Sequence, residues 1–109
     1  MAATHKLLGS GQLATTTNTA LYTVPADTVG MVKTILLHNV GATETDAEIF
    51  YNGAETSADE DRILNVTVNA SESFEYAVGH MLPLQAGEVI RGKADSATTI
   101  NYHIFGAEE

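Results

Sequence analysis

The feature that most constrains this chain is an alternation of period two, repeated in several short segments. In residues 62–70, Leu64, Val66, Val68 and Ala70 fall on one face, and Ile63, Asn65, Thr67 and Asn69 on the other. In residues 72–78, Phe74, Tyr76 and Val78 oppose Ser73, Glu75 and Ala77. In residues 45–52, Ala47, Ile49 and Tyr51 oppose Asp46, Glu48 and Phe50; in residues 98–105, Ile100, Tyr102 and Ile104 oppose Asn101 and His103. Side chains of a strand point alternately to its two faces, so such segments are half-buried antiparallel strands. No stretch keeps apolar residues at i, i+3, i+4 and i+7 over three turns. The nearest attempt, residues 54–65, has a polar, acidic first half without an apolar stripe.

Residues 29–40 differ. Met31, Ile35 and Leu37 lie on one face and Val32, Leu36 and Val40 on the other. A strand apolar on both faces is central in a sheet or covered by another subunit. Its length predicts a bend or bulge, placed near Gly30. Reversals are predicted at Pro25-Ala26-Asp27, at residues 39–43 around Gly41, at Asn52-Gly53, at Asn69-Ala70-Ser71, at residues 83–87 and at Asp95-Ser96-Ala97. Strands are expected near residues 6–13, 19–24, 29–40, 45–52, 62–70, 72–78, 88–94 and 98–106. The predicted fold is all-β: a single antiparallel β-sandwich of about eight strands, jelly-roll-like, with little or no helix. An immunoglobulin-like or other Greek-key sandwich fits the same pattern. Residues 1–18 read as an N-terminal arm or a first strand, and residues 19–109 as the sandwich domain. The arm could add a strand to its own sheet or to a neighbour's.

Length and charge narrow the functional classes. At 109 residues the chain is one domain's worth of material. Five basic residues against 14 acidic ones give a net charge of −9. Nucleic acid is a poor partner for such a surface, because phosphate binding needs Lys and Arg to neutralise charge. Anionic lipid is a poor partner for the same reason. Cysteine is absent, which removes disulfides, thiol nucleophiles and the common structural zinc sites. The N-terminus lacks the apolar core of a signal peptide, and no run approaches the ~20 apolar residues of a membrane span. Synthesis in a cytoplasm is expected.

No catalytic, cofactor-binding or metal-binding residue is predicted. His5, His38, His80 and His103 show no short metal-ligand spacing, with His38 and His103 placed in strands and His80 in a turn after Gly79. Glu44, Asp46 and Glu48 alternate and would line one solvated strand face. Glu55, Asp59, Glu60 and Asp61 lack the pattern of a calcium loop and read as an exposed acidic loop. Ser10, Ser57, Ser71, Ser73 and Ser96 stand in no nucleophile-elbow context. The two sequons at Asn65 and Asn69 fall in or beside a strand and read as chance matches.

Residues 20–39 (ALYTVPADTVGMVKTILLHN) resemble a pattern in small virion proteins of tailed bacteriophages. A strand like residues 47–51 follows, then a piece similar to residues 81–91 and a closing strand like residues 99–106. The resemblance is loose over residues 20–106 and close only over 20–39. It implies a β-sandwich and a non-enzymatic structural role, with no catalytic residues to carry over. The role it implies is a capsid decoration, or cement, protein: a homo-oligomer, as a trimer, bound to the major capsid protein on the outer surface of the head. A tail-fibre, tail or neck module, structural or receptor-binding, is the alternative. It would need an aromatic platform, for which Tyr22, Phe50, Tyr51 and Tyr102 are the sources. A metal-assisted hydrolase is a third class, and would need the histidines to converge with acids. Candidate protein contacts are Lys6, Leu7, Leu8 and Leu13 in the N-terminal region, and Met31, Val32, Leu36, His38 and Val40 in the two-sided strand. Lys33, Arg62, Arg91 and Lys93 join Lys6 as candidate contacts to an acidic capsid surface.

Overall fold

The computed structural model describes residues 4–15, 18–52, 61–95 and 98–109, apart from the side chains of Thr4 and residues 78–81. The described elements are all strands: β1 (Thr4–Gln12), β2 (Thr19–Thr23), β3 (Gly30–Asn39), β4 (Thr45–Tyr51), β5 (Arg62–Val68), β6 (Ser73–Leu84), β7 (Val89–Ala94) and β8 (Ile100–Glu108). The pairings β1–β8, β2–β7, β3–β6 and β4–β5 are all antiparallel. The chain is therefore one long hairpin, its first four strands laid against its last four. Rolling that hairpin sends alternate pairs to opposite layers. Sheet A has the order β1-β8-β3-β6 and sheet B the order β2-β7-β4-β5. This is the jelly-roll connectivity of two four-stranded sheets. The immunoglobulin-like alternative is set aside by that strand order. Residues 4–12 are a strand of the chain's own sheet A, paired along their length with β8.

The inward sets follow the alternation closely. Ile35, Leu37, Ile49, Ile90, Ile100 and Ile104 are fully buried between the layers, and Leu64, Val66, Phe74 and Tyr76 pack against that core. β3 corrects the simple reading. Val32 pairs with Gly106 and Thr34 with Phe105, so Lys33 is an extra residue. The bulge lies at Lys33 and not at Gly30. It shifts the phase, placing Val32 inside with Ile35 and Leu37. Met31 joins Leu36 on the outer face. Strand β6 is also longer than expected. It continues to Leu84, with Pro83 opposite Met31, so the reversal is confined to residues 85–88, where Gly87 has φ 86°. Proline is tolerated there because β6 is an edge strand. The backbone of His80 thus lies in β6 rather than in a turn. The acidic residues Glu55, Asp59 and Glu60, together with Gly53, Ser57, Ser96 and Ala97, fall outside the described residues.

Two polar arrangements fasten the sandwich. Asn39, at the end of β3, is fully buried. Its Nδ2 donates to the carbonyls of Thr43 (2.8 Å) and Val68 (3.0 Å), and its Oδ1 accepts from the Gly41 amide (2.8 Å). One side chain thereby shapes the β3–β4 crossover and ties sheet A to β5 of sheet B. At the other end, the Tyr22 hydroxyl donates to Glu108 Oε2 (2.7 Å), and Lys6 Nζ lies 2.6 Å from Glu108 Oε1. These contacts join β2, β8 and β1. The Lys6 and Tyr22 hydrogen bonds hold the Glu108 carboxyl below its ordinary pKa. Burial, and then Glu108, push the Tyr22 phenol well up.

Candidate interaction surface

The two outer faces differ in chemistry. On sheet B, β4 turns Asp46 and Glu48 outward, as the alternation predicts. Glu48 is met by Arg62 (3.1 Å) from β5 and Lys93 (3.7 Å) from β7. Thr67 donates to Asp46 at 2.6 Å. This face is a laced set of charges. Phe50 lies between the Glu48 rung and the end of β4, and is only 1% exposed.

The outer face of sheet A carries little charge and mixes exposed apolar side chains with neutral polar ones. Leu7 on β1 stands opposite Phe105 on β8, which stands opposite Thr34 on β3. Leu7 is 48% and Phe105 41% exposed. Two rungs along, on the same face, Ser10, His103 and Leu36 share a level. The rings of His103 and Phe105 stack with centroids 6.3 Å apart and planes at 12°. His38 pairs with Asn101, and its Nδ1 lies 2.7 Å from the Ser73 hydroxyl oxygen. His5 stands opposite Ala107, itself flanked by Met31. Glu75 on β6 and Lys33 at the bulge are the charged residues among the described side chains of these rungs. Leu7 and Phe105 thus stand exposed side by side, with Leu36 and Met31 half-buried on the same face.

The structure sorts the sequence-derived contact candidates. Leu7, Met31, Leu36 and His38 come together on this one face, β1 and β3 being the two neighbours of β8. Val40, 53% exposed, lies just beyond the end of β3. Leu8 is the bulged residue of β1, half-buried against the core. Lys6 turns to the rim, where Glu108 holds it. Leu13 and Val32 are corrected: both are fully buried in the chain's own core and reach no partner. Of the other basic residues, Arg62 and Lys93 pair with Glu48, and Arg91 donates to the Asn18 carbonyl (3.0 Å). Lys33 is exposed and makes no ion pair among the described residues.

The aromatic platform is also corrected. Tyr22, Phe50 and Tyr102 are buried, and Tyr51 is half-buried with its hydroxyl donating to the Pro83 carbonyl. The exposed aromatic side chain is Phe105, which the sequence reading placed only in a strand. A two-residue step from His103 could have marked it, since both fall on the outward phase of β8. The described histidines are spread across the face, and no group of three or more His, Asp or Glu gathers as a ligand set among the described residues. Compared with known proteins, the chain matches no family model, no curated protein and no solved structure.

Proposed function

We propose that this chain is a non-enzymatic structural protein of a tailed-bacteriophage virion, a capsid decoration protein that lays the outer face of sheet A on the outside of the head. The observation that carries this reading is the contrast between the two faces: one laced with charge, the other apolar around Leu7, Leu36 and Phe105. The jelly-roll order supports it, as does the resemblance of residues 20–39 to small virion proteins. The partner is the major capsid protein, and the assembly is a trimer astride several capsid subunits. The work done is mechanical. Burying apolar surface at about 25 cal/mol per Å² across subunit boundaries adds binding free energy that the bare shell lacks. The net charge of −9 suits an exterior position, away from packaged genome.

The test is co-sedimentation of purified protein with expanded phage heads lacking it, followed by cryo-electron microscopy of the decorated particles. Saturable binding at three-fold or quasi-three-fold positions, lost on Phe105→Glu, is the expected result. Density on the tail or neck would instead assign the protein to the alternative module. No binding to any virion part would overturn the reading.

A further inference from the structure

A four-stranded sheet has two edges, and each edge exposes unpaired backbone donors and acceptors that can template another strand. Three of the four edges here are blunted. β1 carries the Leu8 bulge, Gly9, Gly11 and Lys6. β2 is five residues long and bulged at Leu21. β6 has residues 78–81 opposite Lys33 alone, followed by Pro83. The fourth edge, β5, has its bulge at Ile63, at the start of the strand. From Leu64 to Val68 it runs in unbroken register with β4, without Gly, Pro or a charged residue. Among the described residues, no strand pairs with its outer edge.

We propose that the β5 edge is a self-association site, taken by β5 of a second copy in antiparallel pairing about a two-fold axis through Val66. The inference goes beyond the virion reading and does not rest on it. The pattern is self-complementary. With Val66 opposite Val66 of the second copy, Leu64 meets Val68 and Asn65 meets Thr67. Opposed residues in an antiparallel pair share a face. Leu64 and Val66 are half-buried in one copy, whereas Asn65 and Thr67 are exposed. The pairing therefore covers the apolar positions of both copies and leaves the polar ones in water. Charge argues the same way. Two chains of net charge −9 repel, and β5 offers them an approach in which residues 63–68 bring no carboxylate. The result is a continuous eight-stranded sheet. It is compatible with a three-fold assembly, because neighbouring trimers on a closed shell meet across two-fold axes.

The chain has no cysteine, so introduced thiols report cleanly. Directly opposed residues lie within disulfide reach. Under mild oxidation, a mixture of the Asn65→Cys and Thr67→Cys chains should form a disulfide-linked dimer, and each chain alone should form at least ten-fold less. Sedimentation of the parent should give roughly twice the 11.5 kDa monomer mass as concentration rises. The double variant Asn65→Lys, Thr67→Lys should return it to monomer while keeping the parent's circular-dichroism spectrum. A parent that stays monomeric and a mixture that fails to cross-link would overturn the proposal. So would a dimer that survives both lysines and dissociates on Phe105→Glu, since that places the contact on the outer face of sheet A.

Discussion

Replacing Asn39 by alanine should destabilise the protein by about 3 kcal/mol, and the number can be built from its three hydrogen bonds. The Val68 carbonyl is buried, so losing its donor costs about 1–3 kcal/mol of unrelieved desolvation. The Thr43 carbonyl and Gly41 amide sit in a part-buried loop that water can reach once it loosens. Each of these costs nearer ~0.5–1 kcal/mol. A domain of this size holds only ~5–15 kcal/mol in total, so the loss is a large share. At about 4–8 °C per kcal/mol, the melting temperature should fall by roughly 12–24 °C.

Urea denaturation followed by circular dichroism measures this directly, with the midpoint shifted and the slope unchanged. Asn39→Asp sharpens the test. Aspartate can still accept from Gly41, but it sets a carboxylate against two carbonyl oxygens with no donor. At neutral pH it should be worse than alanine. Its folded-state pKa would be raised by that surrounding, so its stability should recover as pH falls and the carboxyl gains a proton. An alanine variant within ~1 kcal/mol of the parent, or an aspartate variant more stable than alanine at pH 7, would refute the view that Asn39 holds the crossover.

Other outcomes follow from the same geometry. A Cβ on Gly106 would lie 2.0 Å from the Met31 carbonyl oxygen, so Gly106→Ala should yield little folded protein by size exclusion and circular dichroism. Gly9→Ala should behave similarly, with its Cβ 2.4 Å from the Leu21 carbonyl oxygen. Glu108→Gln should cost about 1–2 kcal/mol at pH 7 by chemical denaturation. Because the Glu108 pKa is depressed in the folded state, its contribution is present above the ordinary carboxylate range and should vanish as pH falls through the depressed value. On the outer face of sheet A, Phe105→Ser and Leu36→Ser should each change stability by less than ~1 kcal/mol, and on the proposed decoration role they should weaken binding to expanded phage heads about ten-fold or more in the co-sedimentation assay.

How much of this was legible before folding depends on whether the information is local. Ile100, Tyr102 and Ile104 announce their strand because burial on one face writes period two into adjacent residues. The end of β3 was legible as a turn around Gly41, but the role of Asn39 was not, since its partner Val68 lies 29 residues away. That β3 holds a bulge was legible from its length, but its place at Lys33, and the bulges of the other strands, were illegible for a different reason. Inserting one residue breaks the alternation without a residue type of its own, and Met31-Val32-Lys33 reads equally well in either phase. The candidate surface was half visible. Leu36 and Met31 were singled out from an apolar strand, but Leu7 becomes their neighbour only through the β1–β8 pairing, which joins the two ends of the chain. Pro83 misled because proline usually marks a turn, and only its edge position makes it acceptable in β6.

The Lys33 bulge provides the sharpest test of that reading. Across sheet A, Lys6, Gly106 and Val32 share one rung, Leu7, Phe105 and Thr34 the next, and Gly9, Ile104 and Ile35 the one after. Relative to β8, strands β1 and β3 each carry one extra residue, Leu8 between the Phe105 and Ile104 rungs and Lys33 between the Gly106 and Phe105 rungs. Each bulge takes up its extra residue within one step, so opposed side chains keep to the same face on both sides of it. The side chain of Lys33 is exposed, so Lys33→Ala should alter stability by less than ~0.5 kcal/mol. Deleting Lys33 is a different perturbation. Val32 then directly precedes Thr34, and plain alternation keeps Val32 inward and Met31 outward opposite the same residues of β8. No buried side chain is displaced, so the deletion should still fold, with its cost confined to the lost bend and the pairing with β6. The check is circular dichroism and thermal melting of the deletion beside the substitution. A deletion that fails to fold would refute the view that residue 33 is surplus to the alternation of β3.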